Sequence, residues 1–515
     1  MASMDSLSLE LIELIVLELV KLLFRDSADG VPDEETHHLL APYAQISRKF
    51  QVAVERFLYR VIQVTSSGSK DLDALNARPS RKAALRDLLY VIELPGYDPD
   101  LQYAMERRRE HRANQVSFRD GLVKIWNELS SWDKPPSLFL DLSASSPSDE
   151  ESAIESESEN RWLLPEHSLS IDTESVELPT VDCVSALAVG KQGRRIHPTT
   201  VHEMVLNLPN LRVLDWGMAP VQLRHKALKT EYTAALTKAL RAPTLAKLEV
   251  LTLSLSEYPP NNHDFDTGLE RDPVYPDGDM LSLAIRELAL RSLKELNIDH
   301  VPISPALFGP MALDTNTSFP HLEHVRIEFP ILTYDGRWYY TGDRDSVDPE
   351  GLDPEEQTQI NNGPSVDEPD SDCESVISLN MDRADFLNGR IPWYAWRKRP
   401  DPSMFNPLIR SVVAATLRMP RLKNLLLTTR VRGHSTCDYE EEMERQCAIK
   451  VNYATPGCYL ETLRYPHMSE QADSRCRWVA NLGPGVQWDV PDDLQEMMKE
   501  KVGDGGDVVI YRSRS

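Results

Sequence analysis

One pattern constrains this chain more than any other: the spacing L-x-x-L-x-L, filled by large apolar residues, occurs six times. The copies are Val184-Leu187-Val189, Leu211-Leu214-Trp216, Leu248-Leu251-Leu253, Leu293-Leu296-Ile298, Leu322-Val325-Ile327 and Leu422-Leu425-Leu427. The last two positions of each copy stand two residues apart, as on one face of a strand. Helical patterns precede them at His202 to Leu208, Tyr232 to Leu240, Met280 to Leu290 and Phe405 to Met419. In the last, Phe405, Leu408, Ile409, Val412 and Val413 share a face. One such helix–strand unit cannot bury both of its apolar faces, so the units must stack on one another. Ordinary amphipathic strands in an α/β domain are the competing reading.

Successive copies lie 27, 37, 45, 29 and 100 residues apart, whereas regular leucine-rich repeats run about 20 to 29 residues. The region therefore resembles a degenerate leucine-rich-repeat solenoid with loop insertions. In such a solenoid the third triplet position points from a strand into the core, and the first two pack against the preceding helix.

The 515 residues carry a net charge of -25, and most of it is local. Asp149 to Glu159 holds six acids and no base. Asp343 to Glu374 holds twelve acids against Arg344. Removing both leaves a mildly acidic remainder, unsuited to nucleic acid, where phosphate contacts supply most of the affinity. Ser143 to Asn160 and Thr341 to Glu374 are too polar to offset their chain entropy by burial, so both are expected to be disordered. The apolar run Leu9 to Phe24 contains Glu10, Glu13, Glu18 and Lys21. Those charges argue against a secretory signal or a membrane span. Six cysteines in this length are expected to be reduced thiols in the cytoplasm and/or nucleus.

Residues 5 to 24 read as an amphipathic helix, Leu39 to Tyr59 as one or two more, and Arg60 to Val64 as a strand. Within them Leu7-Ser8-Leu9-Glu10-Leu11 stands where an F-box opens with Leu-Pro-x-Glu-aliphatic. Ile46-Ser47-Arg48-Lys49-Phe50 parallels its aliphatic-Ser-basic-x-Trp run, and Leu58-Tyr59-Arg60 its exit. Ser8 replaces the usual proline and Phe50 the usual tryptophan. The segment resembles an F-box, the module that docks on the Skp-family adaptor of a ubiquitin ligase. That resemblance implies a docking face of Leu7, Leu9, Leu11, Ile12, Ile15 and Ile46. A helical cap on the first strand is the plainer reading, and the two are compatible.

More of the chain resembles fungal F-box proteins with leucine-rich-repeat-like regions. The shared features are Leu40-Ala41-Pro42-Tyr43-Ala44, the Leu85 to Leu94 segment ending in Pro95-Gly96-Tyr97-Asp98, and the Trp393 to Met419 block. The resemblance implies an architecture and an adaptor role, with no particular target.

Little in the sequence reads as chemistry. His434-x-x-Cys437 has zinc-ligand spacing, but Cys447 and Cys458 lack close mates. Phosphate-loop and G-x-S-x-G motifs are absent. Ser148 and Ser371 precede acids, as in acid-directed phosphorylation sites, a motif frequent by chance. Trp393, Tyr394, Trp396, Arg397 and Arg399 combine the residue types that anchor binding hot spots, and also those of a packed capping segment. Trp338, Tyr339 and Tyr340 form a second aromatic group.

The expectation is an α/β chain: an F-box-like module over 1–64, a repeat region over 65–340, an acidic insertion over 341–378 and a capping region over 379–515. It would be a non-enzymatic receptor of an SCF-type ligase that needs no cofactor. The helices would hold the Skp-family adaptor and cullin core, and the repeat face and Trp393 block a protein target, with no nucleic acid or membrane as partner. The alternative is an interaction scaffold with a decayed F-box.

Overall fold

The computed structural model describes residues 7–23, 39–98, 106–149 except 134 and 136, 168–172, 176–218, 221, 223, 225–255, 259–268, 278–309, 318–348, 385–429, 448–458 and 474–512. It is an α/β protein built on a 12-stranded, mostly parallel sheet with ten α-helices among the described residues.

The first eight strands lie side by side in chain order, each parallel to the next: β1 (Val61–Thr65), β2 (Asp87–Glu93), β3 (Leu138–Ser145), β4 (Val184–Gly193), β5 (Val213–Met218), β6 (Val250–Leu255), β7 (Glu295–Asp299) and β8 (His324–Phe329). A short antiparallel pair, β9 (Tyr340–Thr341) with β10 (Arg399–Pro400), stays outside this sheet. β11 (Asn424–Thr429) then returns to pair parallel with β8. The long interval between the last two triplets is thus spliced out of the sheet. β12 (Ile449–Ala454) and β13 (Arg477–Leu482) continue antiparallel, and β14 (Asp507–Arg512) closes the edge parallel to β13.

Two in-register ladders cross all twelve strands. One runs Ile62, Leu88, Leu140, Leu187, Leu214, Leu251, Leu296, Val325, Leu425, Tyr453, Trp478, Val508. The other runs Val64, Tyr90, Leu142, Val189, Trp216, Leu253, Ile298, Ile327, Leu427, Val451, Ala480, Ile510. The second and third positions of all six triplets are in them. Alternation within each strand puts both ladders on one face, and nearly all of these residues are buried.

The helices are α1 (Leu9–Leu23), α2 (Arg48–Leu58), α3 (Ser69–Asn76), α4 (Pro79–Ala84), α5 (Arg108–Ser130), α6 (Pro198–Leu206), α7 (Lys226–Leu240), α8 (Met280–Arg291), α9 (Pro402–Thr416) and α10 (Asp492–Val502). Of these, α3 and α5 to α10 share the main core with the ladders, whereas α1 and α2 form a separate one. Parallel crossovers have one hand, so strands laid down in strict chain order keep their helices on a single side. Capping residues set the helix starts. Ser47 accepts the Phe50 N–H, Asp279 that of Ser282 and Asp401 that of Ser403. At Gly121 a side chain would strike Ile92, since a Cβ there would lie 2.8 Å from it. That glycine lets α5 settle onto β2, where Tyr90 donates to the Gly121 carbonyl.

The strand expected at 60–64 is β1, the first strand of the sheet. Residues 143–149, expected to be disordered, are the end of β3 and a tight turn. Ser148 Oγ donates to the Tyr97 carbonyl and accepts the Tyr97 N–H. Residues 341–348 are also ordered, through β9 and a 3-10 turn at Arg344–Ser346. Apolar and backbone pairing outweighs their polar composition. The rest of the two acidic insertions, 150–160 and 349–378, lies outside the described residues, with Ser371.

Candidate functional site

The N-terminal helices form their own small core. Ile12, Val16, Leu40, Phe50, Ala53, Val54 and Leu58 are buried together, with Leu7 and Leu9 packed at its edge. Ser8 starts α1: its carbonyl accepts the Ile12 N–H and its hydroxyl that of Leu11. Lys49 Nζ reaches the Leu7 carbonyl at 2.7 Å, and Arg56 pairs with Glu13. The module is fastened to α4 by Glu55, which takes Arg78 at 2.7 Å and Arg81 at 3.3 Å, while Arg81 covers the Tyr59 ring.

Outside that core lies an apolar surface. Leu11 (49 % exposed), Leu14 (57 %), Ile15, Leu17, Leu22, Leu39 and Ile46 (50 %) are all open. Of the eleven large apolar side chains exposed among the described residues, seven fall in these first 46 positions. Scattered exposed leucines need no explanation, but a concentration marks an interaction surface. The structure therefore divides the six residues expected on the docking face. Leu11, Ile15 and Ile46 are exposed, Leu7 and Leu9 are half-buried, and Ile12 is a core residue with no exposed surface. Ile12 is thus a core residue rather than part of the expected face, and Leu14, Leu17, Leu22 and Leu39 are exposed as well.

The Trp393 block folds against a loop that follows β6. The Tyr394 N–H donates to the Asn261 carbonyl, and the Tyr394 carbonyl accepts the His263 N–H. Tyr394 Oη donates to the Arg344 carbonyl and Trp396 Nε1 to Asp264. The Arg397 N–H donates to His263 Nδ1 at 2.7 Å, and its guanidinium lies 4.1 Å from the Trp396 ring centre and 5.0 Å from that of Trp338. Arg397 also reaches the carbonyls of His263 and Tyr340. Burial, with Arg397 and Lys398 nearby, pushes His263 down to about 3. The two aromatic groups of the sequence are thus one cluster, with Tyr339 and Tyr340 buried beneath it. Arg399 contributes backbone pairing in β10 and an exposed side chain, and Trp393 is half-buried.

Asp299, His300 and Glu328 are the one set of potential metal donors brought together among the described residues, with ligand atoms within 4.8 Å. His300 has a positive φ of 56°. Its Nδ1 meets Asp299 at 2.7 Å and its Nε2 meets Glu328 at 3.5 Å. The acids grip opposite edges of one ring, an arrangement that orients an imidazole rather than aiming three lone pairs at one ion. His434, Cys437 and Cys447 lie outside the described residues, while Cys458 is half-buried.

A buried ionic group at the ends of β2 to β4 was not anticipated. Arg194 (7 % exposed) meets Asp149 at 2.8 Å and Glu106 (2 % exposed) at 3.8 Å, and Asn114 donates to Glu106. Tyr97 Oη donates to the same Asp149, so the Pro95-Gly96-Tyr97 segment seals a turn. No described helix is long and apolar enough to cross a membrane.

No family model matches the chain, and no curated protein or solved structure matches it either.

Proposed function

We propose that this chain is the target-receiving adaptor of an SCF-type ubiquitin ligase, with an F-box-like N-terminal module and a leucine-rich-repeat-like body. The observation that carries this reading is the concentration of exposed leucine and isoleucine on α1 and at Leu39 and Ile46. Burying one such side chain contributes roughly 1.5–3 kcal/mol, so a partner covering several would gain enough for stable docking. The strict chain order of parallel strands, with apolar ladders in register, supports the repeat reading. Target binding would fall to the polar face of the sheet and to exposed parts of the Trp393 block, such as Arg399.

A scaffold that has lost ligase docking is the second reading, and Ser8 and Phe50 motivate it. Both fit the module's own fold, since Ser8 caps α1 and Phe50 is buried in the core. They leave the exposed surface untouched, which favours the adaptor.

The test is capture of a purified Skp-family adaptor by the full chain, against a Leu14→Asp plus Ile15→Asp variant. Both residues are exposed, so the variant should keep its helical content and lose capture. A folded wild-type chain that captures no adaptor would hand the lead to the scaffold reading.

A further inference from the structure

We propose that a cavity between α7 and α8 is a binding site for a neutral apolar alcohol. The cavity measures about 560 Å³, within the usual range of small-molecule sites. It lies beyond the C-terminal ends of β5 to β7, where Met218, Leu255 and Val301 form its floor. Along α7 and its C-terminal cap it extends from Lys229 to Arg241. At about 1.5 Å per residue that is a slot roughly 18 Å long, matched to an extended chain or a fused-ring body.

Its polar atoms say what the head of the occupant should be. Thr237 is 6 % exposed and lines the slot, and its hydroxyl has no hydrogen-bond partner. A helical threonine commonly returns its hydroxyl to a carbonyl of the preceding turn, and this one does not. His202, 8 % exposed, also lines the slot, and its Nδ1 has no partner. Asp279, 4 % exposed, lines the slot as well, and its Oδ2 has no partner. Buried polar atoms are nearly always paired, so three unpaired ones on the wall of one apolar slot point to a group that would pair them. Burial, reinforced by Lys238, holds His202 below the ordinary histidine range and keeps the ring neutral.

The charges weigh against an ionic head. Asp279 is the buried acid of the lining; its Oδ1 caps α8 through the Ser282 N–H, its Oδ2 has no partner, and burial pushes the carboxyl up, which disfavours its charged form. Lys238 is exposed, half-buried Lys229 lies eight residues along α7 from Thr237, about 12 Å, and Arg241 is engaged by Glu287 at 2.9 Å. A carboxylate at Thr237 would lose its water with no buried cation beside it, and an ammonium would meet only a carboxyl whose charge burial disfavours. A hydroxyl loses less, and it both donates and accepts, as a threonine hydroxyl and a neutral imidazole require.

The experiment uses the full chain with 1-decanol, decanoic acid and decylamine, each below its aggregation concentration, read by calorimetric titration and thermal shift. The expected result is saturable one-site binding of 1-decanol, at least tenfold tighter than the other two. Thr233→Phe places a ring in the slot from a half-buried wall position and should abolish binding. Thr237→Val keeps the shape, removes the hydroxyl, and should weaken 1-decanol about tenfold without lowering the melting temperature of the free protein. Absence of saturable binding overturns the proposal. So does equal or tighter binding of the acid or the amine, or unchanged 1-decanol affinity in both variants. If Thr233→Phe misfolds by circular dichroism, the isosteric Thr237→Val decides.

Discussion

His263 should make the docking of the Trp393 block dependent on pH. Its ring is 2 % exposed and lies 4.9 Å from Trp338, and its Nδ1 accepts the Arg397 N–H. That bond requires an unprotonated Nδ1, and burial depresses the group from 6.5 to about 3. In the native state the ring stays neutral, while the unfolded chain takes up a proton below about pH 6.5. Stability from this residue is therefore complete above pH 6.5 and is lost as the pH falls towards 3. Each pH unit in that window removes about 1.4 kcal/mol, so the loss is about 2 kcal/mol by pH 5 and at most about 4–5 kcal/mol. His263→Asn replaces the titrating ring with a non-titrating acceptor. Guanidinium unfolding of both proteins at pH 7.5, 6 and 5 isolates this one group, because His197 and His202, also depressed by burial, are present in both. The wild type should lose about 2 kcal/mol more than the variant between pH 7.5 and 5. Parallel pH profiles would refute the reasoning.

Leu253→Ala opens the middle of a ladder between Trp216 and Ile298, at a site with no exposure, and should cost about 2–5 kcal/mol in denaturant melts. Gly217→Ala would set a Cβ 2.6 Å from the Gly190 carbonyl oxygen. The backbones of β4 and β5 must part, at a cost of about 1–3 kcal/mol by the same assay. Arg194→Met leaves Glu106 and Asp149 without their shared cation. Removing one partner of a buried pair costs about 3–5 kcal/mol, read in the same denaturant melts.

The sheet was legible where apolar spacing and strand order coincide. All six triplets became neighbouring strands in register, because a stacked unit repeats its buried positions. Two further strands carried the same spacing with an aromatic substitution, Tyr59-Ile62-Val64 and Leu85-Leu88-Tyr90. Counting tyrosine as apolar would have found them. In β3, Ser137 stands at the first position, and the ladder proceeds without it. β12 and β13 enter the sheet antiparallel, so no repeat spacing announces them. The His263–Arg397 contact spans 134 positions. Its residue types were visible, but the approach of the two segments depends on where the inserted chain docks, which local pattern does not encode.

The N-terminal helix shows the same limit within a single element. α1 has apolar residues at eleven of fifteen positions, with charges only at Glu10, Glu13, Glu18 and Lys21. Such a helix has no single stripe, so periodicity alone cannot say which leucines face inward. Its partner decides. α2 carries a narrow buried face of Phe50, Ala53, Val54 and Leu58, which can cover only a strip of α1 centred on Ile12 and Val16. Leu11, Leu14, Ile15 and Leu17 are left on the outside because α2 is too slender to cover them. Nothing in the folding of α1 against α2 requires those four to be apolar, and their exposure in the free chain favours self-association. A second surface, supplied by a partner, would account for their presence. The excess of leucine over what the module's own core can bury is therefore the part of the sequence that bears most directly on function.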